Sequence, residues 1–90
     1  MRIDDRKMLM DLLLKAPLSD KEFIILARRY GLDEREPIKP QQIAQMLNML
    51  EWEVRKICRL TLLKLRSYVD DVDKERFDRL IFDLVPPRKA

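Results

Sequence analysis

Histidine is absent from this chain, and cysteine and glycine each occur once, as Cys58 and Gly31. Without histidine, and with one thiol, there is no ligand set for a structural zinc ion, which takes several Cys or His side chains. The same shortage excludes a Ser–His or Cys–His nucleophile pair. A single cysteine also excludes an internal disulfide. Cys58 lies inside an apolar periodic run, where it reads as a small buried residue in a reducing compartment. No cluster of small polar residues supplies another catalytic constellation, so neither enzymatic activity nor a cofactor is expected. No apolar run approaches the ~20 residues that a membrane-spanning helix needs. The first ten residues, "MRIDDRKMLM", are charged, unlike the uninterrupted apolar core of a signal peptide. The expectation is a soluble cytoplasmic protein with no membrane partner.

What the chain does contain is 47% apolar and 39% charged residues over 90 positions, enough for one domain with a real core. The net charge of +3 is mild and permits nucleic acid as a partner without demanding it. Abundant Leu, Met, Lys, Arg and Glu, with few β-branched residues, predict an all-α fold of four to five helices. A first helix is expected from Asp5 to Lys15, halted by Pro17 and apolar over most of its circumference. Ser19 and Glu22 have capping-box spacing, and Leu18 and Phe23 the placement of a hydrophobic staple. The second helix they start is expected to turn Phe23, Ile24, Leu26, Ala27 and Tyr30 inward, and Gly31 to end it in the left-handed region.

After the polar loop "LDEREPIKP", Pro40 suits the first turn of a third, short helix with Ile43, Ala44 and Leu47 on one face. Asn48-Met49 reads as a tight turn, because Asn tolerates positive φ better than most residues. A fourth helix is expected from about Leu50 to Val69, with Val54, Ile57, Cys58, Thr61, Leu62 and Leu65 inward at helical spacing. Asp70, Asp71 and Asp73 interrupt it, and a last helix from about Lys74 to Val85 ends before Pro86-Pro87. Residues 40–69 thus carry the outline of a helix-turn-helix, with one extra helix after it.

The order of residues from Leu18 to Arg66 is more specific than that outline. It resembles region 4 of the bacterial primary sigma factors without a gap. That family has Leu-Thr-x-Arg-Glu near its start, then Arg-Tyr-Gly-Leu-Asp, a short helix, and a reading helix ending Leu-x-Lys-Leu-Arg. Here the matching pieces are Leu18-Ser19 with Glu22, Arg29-Tyr30-Gly31-Leu32-Asp33, the helix from Ile43 to Leu47, Val54-Arg55 with Ile57, and Leu62 with Lys64-Leu65-Arg66. The resemblance implies a domain that docks on RNA polymerase at the flap of the β subunit and reads a promoter element in the major groove. At 90 residues the chain lacks room for the regions with which a full sigma factor melts promoters.

The reading helix departs from the family pattern at its front. The usual Ser or Thr cap is Leu50, the Arg-Glu-Arg that follows is Glu51-Trp52-Glu53, and a contacting Gln is Lys56. Losing a cap side chain costs about 1 kcal/mol, and Glu beside phosphate repels. The candidate DNA contacts are Lys39, Gln41 and Gln42 before and within the third helix, and Glu51, Trp52, Arg55, Lys56 and Arg59 on the fourth. Lys64, Arg66, Arg88 and Lys89 are weaker candidates for phosphate contact. Trp52, Lys56, Leu60 and Leu63 fall along one stripe that the core does not claim, and an exposed Trp-Leu-Leu stripe is an interface signature. A partner covers it, or the C-terminal helix folds back over it with Phe77, Leu80, Ile81 and Leu84, or it stays a solvated surface.

Two functions follow. One is a transcription regulator that binds RNA polymerase and contacts double-stranded promoter DNA. The other is a protein-interaction module whose Trp52, Leu60 and Leu63 face binds a sigma factor, a polymerase subunit or a second copy of itself as a homodimer.

Overall fold

The computed structural model describes residues 1–85; the expected Pro86-Pro87 stop and the candidate contacts Arg88 and Lys89 lie outside them. Helix α1 spans Ile3–Lys15, with Asp4 and Asp5 in its first turn and Lys15 in its last, each sign matched to the helix dipole. Ala16 leaves it with φ −80° and ψ 145°, the extended geometry imposed on a residue before proline. Leu9, Leu12 and Leu13 are buried, while Ile3 and Leu14 remain exposed.

Helix α2 (Asp20–Tyr30) begins as its chemistry requires. Glu22 N–H donates to Ser19 Oγ at 3.2 Å, and Ser19 N–H to Glu22 Oε1 at 3.0 Å. Leu18 and Phe23 are both half-buried against the core, in keeping with the staple. Gly31 ends the helix at φ 65°. The inward face differs from expectation at one position: Ile24 is 39% exposed and Ile25 is fully buried. Ile25, Leu26 and Ala27 together cover about 200° of the helix, because α2 is packed on more than one side. Ile24 points away from the middle of that arc.

Helix α3 (Pro40–Leu47) has proline in its first turn and buries Ile43 and Ala44. Asn48 takes φ 54° and ψ 49°, and Met49 N–H donates to the Ala44 carbonyl at 2.8 Å. Helix α4 (Glu51–Leu65) follows directly and packs on both α3 and α2. Its expected end at Val69 is four residues too far. The α-helix stops at Leu65, and Arg66–Tyr68 tighten into a 3-10 turn. Val69 then extends (φ −85°, ψ 133°) and enters the core. A second 3-10 turn, Asp71–Asp73, leads into α5 (Lys74–Leu84).

The fold is all-helical among the described residues, and every α-helix delivers side chains to one core. Phe77 of α5, Leu9 of α1, Ile25 and Leu26 of α2, Ile43 of α3 and Leu62 of α4 are all nearly inaccessible. The radius of gyration is 12.7 Å, against about 12 Å for a compact chain of this length. Ion pairs close the periphery: Arg76 to Asp5 at 3.0 Å, and Arg66 to both carboxylate oxygens of Asp78 at 2.8 and 3.1 Å.

Candidate functional site: the outer face of α4 and the cleft beside α5

Leu50 occupies the N-cap position of α4 and has no side-chain acceptor, so only half of a capping box forms. That half comes from Glu53, whose Oε1 accepts the Leu50 N–H at 3.2 Å. Glu51 lies one turn before Arg55 and pairs with it at 3.6 Å across the exposed surface. The two carboxylates that lead the helix thus have local roles, one as a cap and one as a screen on a cation. The start of α3 uses the same device, with Lys39 N–H donating to Gln42 Oε1 at 2.9 Å. Gln42 Oε1 is thus engaged within the helix start, and its amide N–H groups stay available to another partner.

The inner side of α4 is anchored to α2. Thr61 is buried, and its hydroxyl donates to Glu22 Oε2 at 3.3 Å, while Lys64 Nζ approaches Glu22 Oε1 at 3.5 Å. The Ser19 backbone N–H, helped by Lys64, holds the Glu22 carboxyl below its ordinary value. Lys64 is thereby engaged within the fold. Arg66 is likewise engaged by Asp78.

Among the described residues, none covers the outer side of α4. Trp52, Leu60 and Leu63 are 61%, 49% and 52% exposed. Arg55, Lys56 and Glu51 are exposed and Arg59 is half-buried; Lys39, Gln41 and Gln42 are exposed at the start of α3. Helix α5 does not fold over the stripe. Phe77 and Leu80 go into the core, whereas Ile81, Leu84 and Val85 form a wall beside α4. Between that wall and α4 lies an open cleft of about 630 Å³.

The cleft brings together five of the expected residues: Trp52, Arg55, Lys56, Arg59 and Leu63. It leaves out Lys39, Gln41, Gln42, Glu51 and Leu60. Leu60 sits about 80° round the helix from Trp52, so the expected stripe divides into a cleft edge and a separate flank. The cleft adds Arg29 and Tyr30 from the end of α2, with the Arg29 guanidinium 5.3 Å from the Tyr30 ring centroid. Arg29 and Val85 are additions to the expected site, whereas Ile81 and Leu84, expected only as an alternative cover of the stripe, stand beside it as a wall. The i, i+3, i+4 spacing of Ile81, Leu84 and Val85 puts all three on one face of α5.

Beneath the cleft, burial pushes the Cys58 thiol up to about 11 and the Tyr30 hydroxyl up to about 12. Cys58 is thus a neutral thiol at physiological pH, unsuited to nucleophilic attack. Among the described residues no group of His, Cys, Asp or Glu is placed to hold a metal ion. No helix among them is long and apolar enough to cross a membrane. No protein-family model matches the chain, and neither curated proteins nor solved structures include a match.

Proposed function

We propose that this protein is a transcription regulator of the sigma region-4 kind, a cytoplasmic helix-turn-helix domain that binds RNA polymerase at the β flap and contacts promoter DNA through α4. The observation that carries this reading is the α3–Asn48 turn–α4 unit, seated on α2, with Arg55 and Lys56 exposed on its outer side. The gapless resemblance over Leu18–Arg66 supplies the polymerase half. Lys39, Gln41 and Gln42 approach phosphates from the start of α3, and Lys56 reaches a base edge. Glu51 screens Arg55 and faces phosphate with the wrong sign, so binding is weak. Phosphate neutralisation by Lys39, Arg55 and Arg59, about three charges, gives a slope of log K against log salt near −3.

Capture of RNA polymerase core and holoenzyme by the tagged protein tests the first half, and failure of both sinks the reading. Duplex binding at low salt tests the second. Lys56→Ala should alter base preference at one position, and Lys39→Ala should weaken all sequences alike. Absence of duplex binding at low salt removes the DNA contact.

A second reading is favoured by the exposure of Trp52, Leu60 and Leu63. In it the domain keeps the fold and gives its outer face to a sigma factor, a polymerase subunit or a second copy. A charged residue at Trp52 should then abolish partner binding while helical content is unchanged.

A further inference from the structure

We propose that the cleft between α4 and α5 is a docking site for an acidic amphipathic helix of a protein partner, about three turns long. This deepens the second reading and rests on it.

The charge of the lining is one-sided. Among the described residues, Arg29, Arg55, Lys56 and Arg59 border the cleft, and no carboxylate does. Glu51, outside the lining, pairs with Arg55 at 3.6 Å. Four cations at one cleft repel each other, and an anionic ligand relieves this. Yet the walls between the cations are apolar, with Trp52 and Leu63 on the α4 side and Ile81, Leu84 and Val85 on the α5 side. Trp52 and Leu63 leave about half of their surfaces in water (61% and 52% exposed). A ligand that satisfies both must carry acids along its edges and apolar side chains along one stripe, which is an amphipathic helix laid in a groove.

Within the cleft, shape favours this ligand over the base contact that the first reading gives Lys56, so the two readings compete for this face. A helix that reads bases must protrude into a major groove about 12 Å wide. Along this side Ile81, Leu84 and Val85 at the end of α5 line one open cleft with α4, so the surface there is concave. Phosphates would neutralise the cations but leave the apolar walls without partners. Eleven residues separate Trp52 from Leu63, a rise of about 16 Å, which matches three turns of a bound helix.

The experiment pans a display library of 18-residue helical peptides against the full protein, then measures the most enriched peptide by fluorescence anisotropy. Enriched sequences should carry Leu, Ile or Phe at i, i+4, i+7 and i+11, with Asp or Glu flanking them. Leu63→Asp and Leu84→Asp should each weaken that peptide by about tenfold or more, as loss of an interface anchor does. Leu63 is 52% exposed, so its substitution does not threaten the core. Each change should cost a 20-base-pair duplex no more than the few-fold loss that one added carboxylate near phosphate brings, whereas Lys39→Ala should weaken the duplex and spare the peptide. No enrichment, basic enriched sequences, or binding indifferent to both aspartates overturns the proposal. Equal loss of duplex and peptide in the aspartate variants also overturns it, since the cleft is then a DNA site. Self-association that Leu63→Asp dissolves would assign the cleft to a second copy instead. A groove that fails while polymerase capture and duplex binding persist leaves the first reading standing.

Discussion

Single residues fix how the backbone turns in this fold, and Gly31 shows it most directly. Its φ of 65° is costly for a side chain, and an added Cβ would sit 2.6 Å from the Arg35 carbonyl oxygen and 3.1 Å from the Pro37 ring. The residue is therefore required twice, for its dihedral and for the close return of the loop over it. Gly31→Ala should lower stability by about 1–3 kcal/mol, measured as a shift in the urea midpoint without loss of two-state behaviour. An unchanged midpoint would mean that the loop from Leu32 does not pack back on α2. Glu22 is the contrasting case of one side chain joining several elements. It caps α2, accepts from buried Thr61 and meets Lys64. Glu51 and Glu53 are the residues whose roles changed most between sequence and structure. Placed against a DNA-reading pattern they look like defects, but the structure gives Glu53 the Leu50 N–H and Glu51 the Arg55 guanidinium.

At the scale of elements, helix starts and stops were legible wherever short-range chemistry decides them. Ser19 with Glu22, Gly31, Pro40 and Asn48 each act within a turn of themselves, and each marks a boundary in the structure. The end of α4 was not legible, because nothing between Leu65 and Val69 forbids helix. The chain leaves the α-helix there so that Val69 enters the core and Arg66 meets Asp78. Both causes are long-range. The exchange of Ile24 for Ile25 has the same origin, since the inward direction of α2 depends on where its neighbours pack. The front of α4 gives a test of element-level energetics. Leu50 has the extended N-cap geometry (φ −85°, ψ 147°) and lacks only an acceptor. Leu50→Ser should complete the box with Glu53 and stabilise the domain by about 0.5–1 kcal/mol, seen as a rise in Tm of a few degrees. A fall in Tm would show that the exposed Leu50 side chain contributes more packing than its 59% exposure suggests.

For the whole molecule, the candidate site was half legible: the cations and Trp52 follow from helical spacing on α4, but the opposite wall needs the path of α5. That path is set by Phe77 and Leu80 entering the shared core, which leaves Ile81, Leu84 and Val85 facing α4. The same global packing sets how stability depends on pH, with opposite signs at the two ends. On the acid side, the side-chain hydrogen bond from Arg66 lowers Asp78, and the Ser19 backbone N–H lowers Glu22. A carboxyl depressed in the folded state contributes stability that is present above its unfolded value and lost as pH falls through the folded one. Those ordinary values are 3.8 for Asp78 and 4.5 for Glu22, so the loss begins near them and continues below. On the alkaline side, burial raises Cys58 from 9.0 to about 11 and Tyr30 from 10.0 to about 12. A raised value works the other way. The stability is complete below the unfolded value and disappears as pH climbs through the folded one, on the order of 2–3 kcal/mol for Cys58. Urea midpoints should therefore hold level between about pH 5 and 9 and fall on both sides. Cys58→Ala should flatten the fall between pH 9 and 10, where the thiol of the unfolded chain loses its proton ahead of the Tyr30 hydroxyl, whatever it does to the plateau. Asp78→Asn should flatten part of the acid limb and leave the alkaline limb intact. If Cys58→Ala leaves the alkaline slope unchanged, the thiol does not sit in the dry layer beneath the cleft, and the packing of α4 against α2 needs redrawing.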